Sequence, residues 1–143
     1  MDNKPSNTTY ELSSNDILLI EDNPADIRLI EEALKDANSK DELHTALDGI
    51  EAINYLNSHC KHKKRHCPTL IILDLNLPKK DGFEFLEDIN NDEKLDKIPI
   101  IVFTTSNLKE NELKCKDMGA TNYITKPIDF VGYQHFIKQL RKK

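Results

Sequence analysis

Acidic, hydroxyl and lysine side chains follow the short apolar runs of this 143-residue chain. Glu21 and Asp22 follow the first run, Asp74 follows the third, Thr104 ends the fourth, and Lys126 follows the fifth. Carboxylates held close together repel one another unless a cation joins them, and oxygen ligands suit a hard ion such as Mg²⁺. An aspartate beside such an ion can attack a phosphoryl group, while a lysine and a hydroxyl hold the other phosphoryl oxygens. The pattern therefore predicts phosphoryl chemistry with Asp74 as the nucleophile.

The apolar runs that carry these residues have the composition of strands in a parallel sheet. Several are nearly continuous in Ile, Leu and Val, which is typical of strands buried on both faces. They lie at Ile17–Ile20, Leu43–Leu47, Leu70–Leu73, Ile98–Thr104 and Tyr123–Thr125. The carboxyl ends of parallel strands meet at one edge, where ligands bind in open α/β sheets. We therefore expect the polar residues that follow these strands to converge.

Amphipathic stretches between the runs predict helices. Asn23 and Asp48 are suited to capping two of them, Gly82–Ile89 and Asn107–Met118 form two more, and Asp129 opens a fifth. Alternating strands and helices predict an α/β fold in which helices cover both faces of the sheet. The chain lacks the glycine-rich motifs of nucleotide-binding loops.

Composition excludes several other classes of protein. The formal net charge is −5, and no basic stripe is present, which argues against nucleic-acid binding. The longest apolar runs have four residues, whereas a membrane span needs about 20. The amino terminus has no apolar signal region, and three cysteines are an odd number for a secreted disulfide scaffold. These features predict a cytoplasmic protein that contacts neither membrane nor nucleic acid.

The chain has room for a single domain. Residues 1–15 are polar and without periodicity, which predicts a flexible lead-in, and residues 16–143 form the predicted domain. Only 17 residues follow Lys126, and the last predicted helix uses them. We therefore expect no output domain, so that the protein acts through another protein.

Four motifs give the chain a family resemblance over about residues 16–142: LLIEDNPAD, LIILDLNLPKKDG, PIIVFTTS and GATNYITKP. Asp22 and Asp74 are 52 residues apart, Thr104 follows after 30, and Lys126 after 22 more. In order and spacing they resemble response-regulator receiver domains, the CheY-like family. The residues within these motifs are most similar to those of the single-domain regulators that serve cyanobacterial phytochromes. The resemblance implies a doubly wound, flavodoxin-like sheet of five parallel strands in the order 2-1-3-4-5.

The resemblance also implies a set of metal ligands. Asp74 is the expected phosphoacceptor and one ligand of Mg²⁺. Asp22 is the expected direct ligand, the backbone carbonyl of Asn76 completes the protein ligands, and Glu21 acts through a water molecule. Many family members have aspartate where Glu21 stands, but its longer arm should still reach a metal-bound water. No other cofactor is implied.

Three further residues have expected roles in holding and sensing the phosphoryl group. Lys126 pairs with it, Thr104 moves towards it, and Tyr123 is the aromatic switch. The Lys126–Pro127 bond is expected to be cis, as in such domains. Ser106 and Asn76 occupy positions that tune the lifetime of the phosphoryl group in the family, and neither is charged here.

The functional hypothesis is a stand-alone response regulator of a two-component phosphorelay. A sensor histidine kinase or a phosphotransfer protein would supply the phosphoryl group, and the chain would be a phosphoacceptor, with possible autodephosphorylation, rather than an enzyme. Phosphorylation would switch the face formed by helix 4, strand 5 and helix 5, which is also a candidate homodimer surface. Tyr123, His135 and Phe136 are the candidate patch on that face, whereas Phe130, Tyr133, Ile137 and Leu140 form a predicted core stripe.

Other hypotheses remain open at this level. One is a receiver-like module that binds its partner independently of phosphorylation. An aspartate-nucleophile phosphatase and a flavodoxin-like FMN carrier are less consistent with the motifs. The segment His59–Cys67 contains two cysteines and three histidines, which suggests zinc, but its cysteine spacing and its four basic residues favour a solvated loop or a basic interaction patch. Cys115 is expected to be incidental.

Overall fold

The computed structural model describes residues 15–140, which form alternating strands and helices. The elements are β1 (Asp16–Ile20), α1 (Pro24–Asp36), β2 (Glu42–Ala46), α2 (Gly49–Leu56), a π-helical segment (Asn57–His62), β3 (Leu70–Leu73), α3 (Gly82–Asn90), β4 (Ile100–Thr104), α4 (Lys109–Asp117), β5 (Asn122–Thr125) and α5 (Phe130–Leu140). Residues 1–14 of the predicted lead-in lie outside the described part, so the division at residue 15 stays a prediction.

The five strands form one parallel sheet in the order β2-β1-β3-β4-β5. This confirms the predicted fold class and strand order. The order reverses between β1 and β3, because the chain continues from β1 to one side and later returns to the other. A crevice for a ligand forms at such a reversal, outside the carboxyl ends of the two strands.

The core lies on both faces of the sheet. Alternate side chains of β1 point to opposite faces, so Leu18 and Ile20 pack with α2, α3 and α4, while Ile17 and Leu19 pack with α1 and α5. This arrangement buries the central strands β1, β3 and β4, while the edge strands β2 and β5 stay partly exposed, and all the carboxyl ends lie at one edge of the domain. Within residues 15–140, no helix combines the length and apolar character needed to cross a bilayer.

Local sequence signals set where several helices begin and end. The side chain of Asn23 accepts hydrogen bonds from the N–H groups of Ala25 and Asp26 at the start of α1, and Asp48 caps α2 in the same way. Gly82 begins α3 so close to the preceding loop that a Cβ atom there would lie 2.6 Å from the Cα of Leu75. Both predicted caps are confirmed.

The structure corrects the predicted surface patch on α5. Phe136 is 3% exposed, and its ring stacks on Phe103 with centroids 4.2 Å apart. Tyr133, Phe136 and Ile137 are three and four residues apart and therefore share one face of a helix. The predicted core stripe is thus wider than expected and includes Phe136, while His135 remains exposed.

Helix α4 does not bury the leucine residues within it and just before it. Leu113 is 54% exposed and Leu108, just before the helix, is 55% exposed, whereas Cys115 is completely buried. Leu113 lies two residues before Cys115, which is about 200° around a helix of 3.6 residues per turn. The buried side of α4 therefore runs through Cys115, which is a core residue rather than an incidental one.

The segment His59–Cys67 is more ordered than a solvated loop. A π-helical segment extends α2 as far as His62, and a disulfide joins Cys60 to Cys67, whose Cα atoms are 4.7 Å apart. Cys60 also packs against the core. Because the chain reverses direction between the two cysteines, they meet each other rather than a shared zinc ion, so they are not metal ligands here.

Candidate functional site

Strand register brings the predicted site residues together at the carboxyl edge of the sheet. Ile20 and Leu73 are paired, so Glu21 and Asp74, the next residues, follow neighbouring strands. The N–H of Asp74 donates to the carbonyl of Ile20 at 3.1 Å. On the other side, the N–H of Lys126 donates to the carbonyl of Thr104 at 2.7 Å. Backbone hydrogen bonds thus fix the points from which these side chains extend.

The ammonium group of Lys126 is the centre of a buried ionic cluster. Its Nζ lies 2.8 Å from Oε1 of Glu21, 2.7 Å from Oδ2 of Asp26 and 3.1 Å from Oδ2 of Asp74. The Lys126 side chain is only 6% exposed, and Glu21 and Asp74 are also buried. One cation therefore holds three carboxylates that would otherwise repel one another.

Asp26 is a site residue that the sequence analysis missed. It lies in the first turn of α1, where an acidic residue already has a local explanation because it stabilises the positive end of the helix. In the structure it also accepts from Lys126, and its Oδ1 accepts from the hydroxyl of Tyr133 at 3.4 Å. Burial, followed by the charge of Asp26, raises the pKa of Tyr133 to about 12. In the sequence, the one signal for this role of Asp26 was its position four residues after Asp22, which is about one helical turn.

The cluster carries more negative than positive charge. Burial raises the pKa of Glu21 to about 7, the Lys126 hydrogen bond opposes that shift, and the charge of Asp74 adds to it. Burial alone would lower the pKa of Lys126, but its hydrogen bonds to Asp26 and Glu21 outweigh that effect and keep the pKa above its usual range. The lysine therefore stays charged, while Glu21 ionises less readily than an exposed glutamate.

The acidic residues can hold a hard divalent cation. Oxygens of Glu21, Asp22 and Asp74 lie within 4.8 Å of one another, and Asp22 is exposed at the mouth of the site. Oδ1 of Asp74 accepts from the N–H of Asn76 at 3.2 Å, which fixes the carboxylate beside the loop that follows β3. An all-oxygen set with excess negative charge matches the preference of Mg²⁺, so the residues fit the predicted ion.

Thr104 and Tyr123 lie on neighbouring strands beside this cluster. Thr104 is fully buried, and its Oγ1 has no hydrogen-bond partner among residues 15–140. The hydroxyl of Tyr123 donates to the carbonyl of Ser106 at 2.9 Å, in the loop that leaves β4 two residues after Thr104. A displacement of this loop would therefore reach both side chains.

The predicted cis bond between Lys126 and Pro127 is wrong for this structure, in which the described peptide bonds are trans. The trans preference of a bond before proline is only about 0.5–1 kcal/mol, so the surrounding structure decides the isomer. The trans bond still leaves the Lys126 ammonium within reach of all three carboxylates.

Comparison with known proteins gives concordant matches in sequence and fold. Residues 17–138 match the family described as the response regulator receiver domain. The response regulator Rcp1 of a Synechocystis species is 40% identical over 110 residues, which cover 77% of this chain and 75% of Rcp1. The phosphorylated cyanobacterial phytochrome response regulator RcpA superposes with a TM-score of 0.81 at 40% identity, covering 90% of this chain and 92% of RcpA. The Mn²⁺-bound form of Rcp1 superposes with a TM-score of 0.80 at 34% identity, covering 90% and 96% of the two chains.

Proposed function

This chain belongs to the response regulator receiver family, and from that premise we propose that it accepts a phosphoryl group on Asp74 in a phosphorelay. Receiver domains of this kind are in general phosphoryl acceptors rather than enzymes. The observation that carries the assignment is the contact of Lys126 with Asp74, Glu21 and Asp26 at the carboxyl edge of the sheet. A buried aspartate held by one lysine, beside acidic groups that can hold a cation, is arranged to receive a phosphoryl group.

In the proposed transfer, an oxygen of Asp74 forms a bond to phosphorus while the bond from phosphorus to the donor breaks. The donor is a histidine of a sensor kinase or a phosphotransfer protein, whose ring nitrogen leaves with the bonding electrons and takes up a proton. The Lys126 ammonium moves from the carboxylates towards the new phosphoryl oxygens. Asn76 holds the carboxylate of Asp74 in place through its backbone N–H.

We propose Mg²⁺ as the ion of this site. Asp22 and Asp74 would bind it directly, the backbone carbonyl of Asn76 would add a third protein ligand, and Glu21 would act through a water molecule. Bound Mg²⁺ would offset the negative charge of the carboxylates and of the phosphoryl group. The Mn²⁺-bound relative supports a divalent ion in such a site.

Thr104 is the proposed sensor of the phosphoryl group. Its buried hydroxyl has no partner in the described structure, so it is available to donate to a phosphoryl oxygen when Thr104 moves. That movement would draw on the loop whose Ser106 carbonyl binds Tyr123. The proposed result is a shift in population towards an active arrangement of α4, β5 and α5.

Thr104→Val is therefore expected to stabilise the unphosphorylated protein and weaken its response. Valine removes a buried hydroxyl without a partner, which should raise the free energy of unfolding by about 1 kcal/mol. Chemical-shift changes at Tyr123 on adding beryllofluoride and Mg²⁺ should shrink. Thr104→Ser is the matched control, because it keeps the hydroxyl and should keep the response. An undiminished response in Thr104→Val would contradict this role.

The face formed by α4, β5 and α5 is the proposed partner surface. Leu113 on α4, Val131 on α5 and Ile128 before α5 are exposed apolar side chains in or next to these elements, and we take them as support for a protein partner. A second copy of the chain is one such partner, as proposed from the sequence. We place the protein in the cytoplasm, where kinases of this class present their phosphohistidine, and assign it neither nucleic acid nor membrane as a partner. The Cys60–Cys67 disulfide is unusual for that compartment, which keeps most thiols reduced.

The direct test is incubation with acetyl phosphate or phosphoramidate and Mg²⁺, followed by intact-mass measurement. We expect a gain of one phosphoryl group that depends on the ion and is labile to hydroxylamine, as an acyl phosphate is. Peptide mapping should place it on the segment that contains Asp74. No gain, or a gain on another segment, would overturn the proposed function and leave a phosphorylation-independent binding module.

A further inference from the structure

A second cluster of possible metal ligands lies at the amino edge of the sheet, opposite the site described above. Asp16 begins β1, Glu42 and His44 lie on β2, and His66 lies in the loop before β3. One ligand atom from each of these four residues lies within 4.8 Å of the other three. Two imidazoles and two carboxylates differ chemically from the all-oxygen set at the carboxyl edge.

The distances within this cluster match a tetrahedral ion of the size of zinc. Bonds of about 2.0–2.1 Å to nitrogen and oxygen place tetrahedral ligand atoms about 3.4 Å apart. Oδ1 of Asp16 lies 2.8 Å from Nε2 of His44 and 3.2 Å from Nδ1 of His66. Oε1 of Glu42 lies 3.7 and 3.9 Å from the same two nitrogens. These separations lie on both sides of the expected value, so small side-chain movements would admit the ion.

The fold holds the four residues in place before any ion binds. Asp16 and Glu42 are directly paired in the register of β1 and β2, and His44 is two residues further on the same face of β2. The carbonyl of His66 accepts from the hydroxyl of Tyr55 at 3.0 Å. The disulfide at Cys67, the next residue, closes the loop that carries His66. A preorganised set of ligands loses little conformational freedom on binding.

The charge and exposure of the cluster also suit a dication. Two carboxylates neutralise its charge, and two neutral imidazoles complete a ligand set that zinc prefers. The Glu42 and His66 side chains are 66% and 41% exposed, so an ion can enter from solvent. The basic residues Lys63, Lys64 and Arg65 are exposed as well, and solvent screens their repulsion.

We propose that Asp16, Glu42, His44 and His66 form a second metal site, which binds Zn²⁺ or a similar transition-metal dication. This site is separate from the proposed Mg²⁺ site in position, ligand chemistry and coordination geometry. It links β1, β2 and the disulfide-closed loop, so an ion there would stabilise the amino edge of the sheet.

The test is a Co²⁺ titration of the full chain with its disulfide intact, in an Asp74→Asn background that removes a carboxylate from the other site. We expect one equivalent to produce the intense visible bands of tetrahedral Co²⁺, which Zn²⁺ then displaces. Six-coordinate Co²⁺ in an oxygen site gives only weak bands, so the spectrum distinguishes the two sites. Zn²⁺ should also raise the melting temperature.

Variants in the cluster make the test specific. His44→Gln and His66→Gln should lose the bands and weaken Zn²⁺ binding at least about tenfold. His62→Gln is the matched control, because His62 is exposed in the same segment and lies outside the four-residue cluster. Glu42→Gln provides a mostly exposed alternative if a histidine variant unfolds. Wild-type-like Zn²⁺ binding in the His44, His66 and Glu42 variants would overturn the proposal, as would the absence of tetrahedral Co²⁺ bands in the parent. Either result would leave only histidine–carboxylate hydrogen bonds at this edge.

Discussion

Asp74→Asn is expected to abolish phosphorylation by acetyl phosphate while leaving the protein folded. The amide of asparagine is not a nucleophile towards phosphorus, but it has nearly the same shape as the carboxylate. Its oxygen can still accept one of the two hydrogen bonds now received from Asn76 and Lys126. Lys126 also keeps Glu21 and Asp26 as partners. The mass gain expected for the wild type should be absent.

This substitution should change the free energy of unfolding by no more than about 1 kcal/mol, as for a shape-conserving change that keeps most of its contacts. The loss of one hydrogen bond is offset because Glu21 no longer faces a second buried carboxylate, which at present helps to raise its pKa. Asp88→Asn is the matched control, since that carboxylate is 44% exposed and pairs with Lys80 at the surface. A full mass gain in Asp74→Asn, or its loss in Asp88→Asn, would contradict the assignment.

Lys126→Met is expected to produce the largest loss of stability among the site variants. Methionine fills a similar volume but leaves Glu21, Asp26 and Asp74 without their shared cation. Removing one partner from a buried ion pair typically costs about 3–5 kcal/mol, because the remaining charge is left uncompensated. Urea unfolding at neutral pH in a metal-free buffer measures this loss directly.

The loss should depend on pH in a defined direction. Burial already raises the pKa of Glu21 from 4.5 to about 7, and removal of the Lys126 ammonium would raise it further. A carboxyl group whose pKa is higher in the folded state favours folding when protonated, and that advantage is lost as the pH rises through the folded value. Below about pH 7, Glu21 is neutral in both proteins, so the difference is smaller there and widens above it.

Two controls separate this effect from general damage. Lys116→Met removes an exposed ion pair with Glu112 and should change stability far less. Added Mg²⁺ should restore part of the stability of Lys126→Met, because a cation among the carboxylates replaces the missing charge. If the Lys126→Met protein is as stable as the wild type both below and above about pH 7, the cluster does not depend on its lysine.

The order of elements and the positions of the main site residues followed from the sequence for one physical reason. Apolar strands that alternate with helices can be buried on both faces only in a parallel sheet with right-handed connections, and this places every carboxyl end at one edge. Asp74 and Lys126 could therefore be assigned to one site although 52 residues separate them. The caps at Asn23 and Asp48 were equally predictable, because a cap depends on its own helix alone.

Other features depend on contacts that local patterns do not specify. Asp26 reaches Lys126 across 100 residues, yet its place in the first turn of a helix explained it locally. Phe136 was wrongly assigned to the surface. The width of the buried face of a helix depends on what packs against it, here the ring of Phe103, and the sequence does not show that partner. The isomer of the Lys126–Pro127 bond likewise depends on its surroundings, because the intrinsic preference is small.

The sequence alone determined that this protein is an α/β domain with an acidic site completed by a lysine at one edge of its sheet. Only the tertiary structure decided what lies at the opposite edge. The segment His59–Cys67 suggested zinc through its own cysteines and histidines, but chain reversal joins Cys60 to Cys67 instead. Strand pairing and loop closure then bring His44 and His66 to Asp16, across 28 and 50 residues respectively. Ligand spacing in a sequence cannot reveal such a cluster, because its geometry arises from sheet register and loop closure.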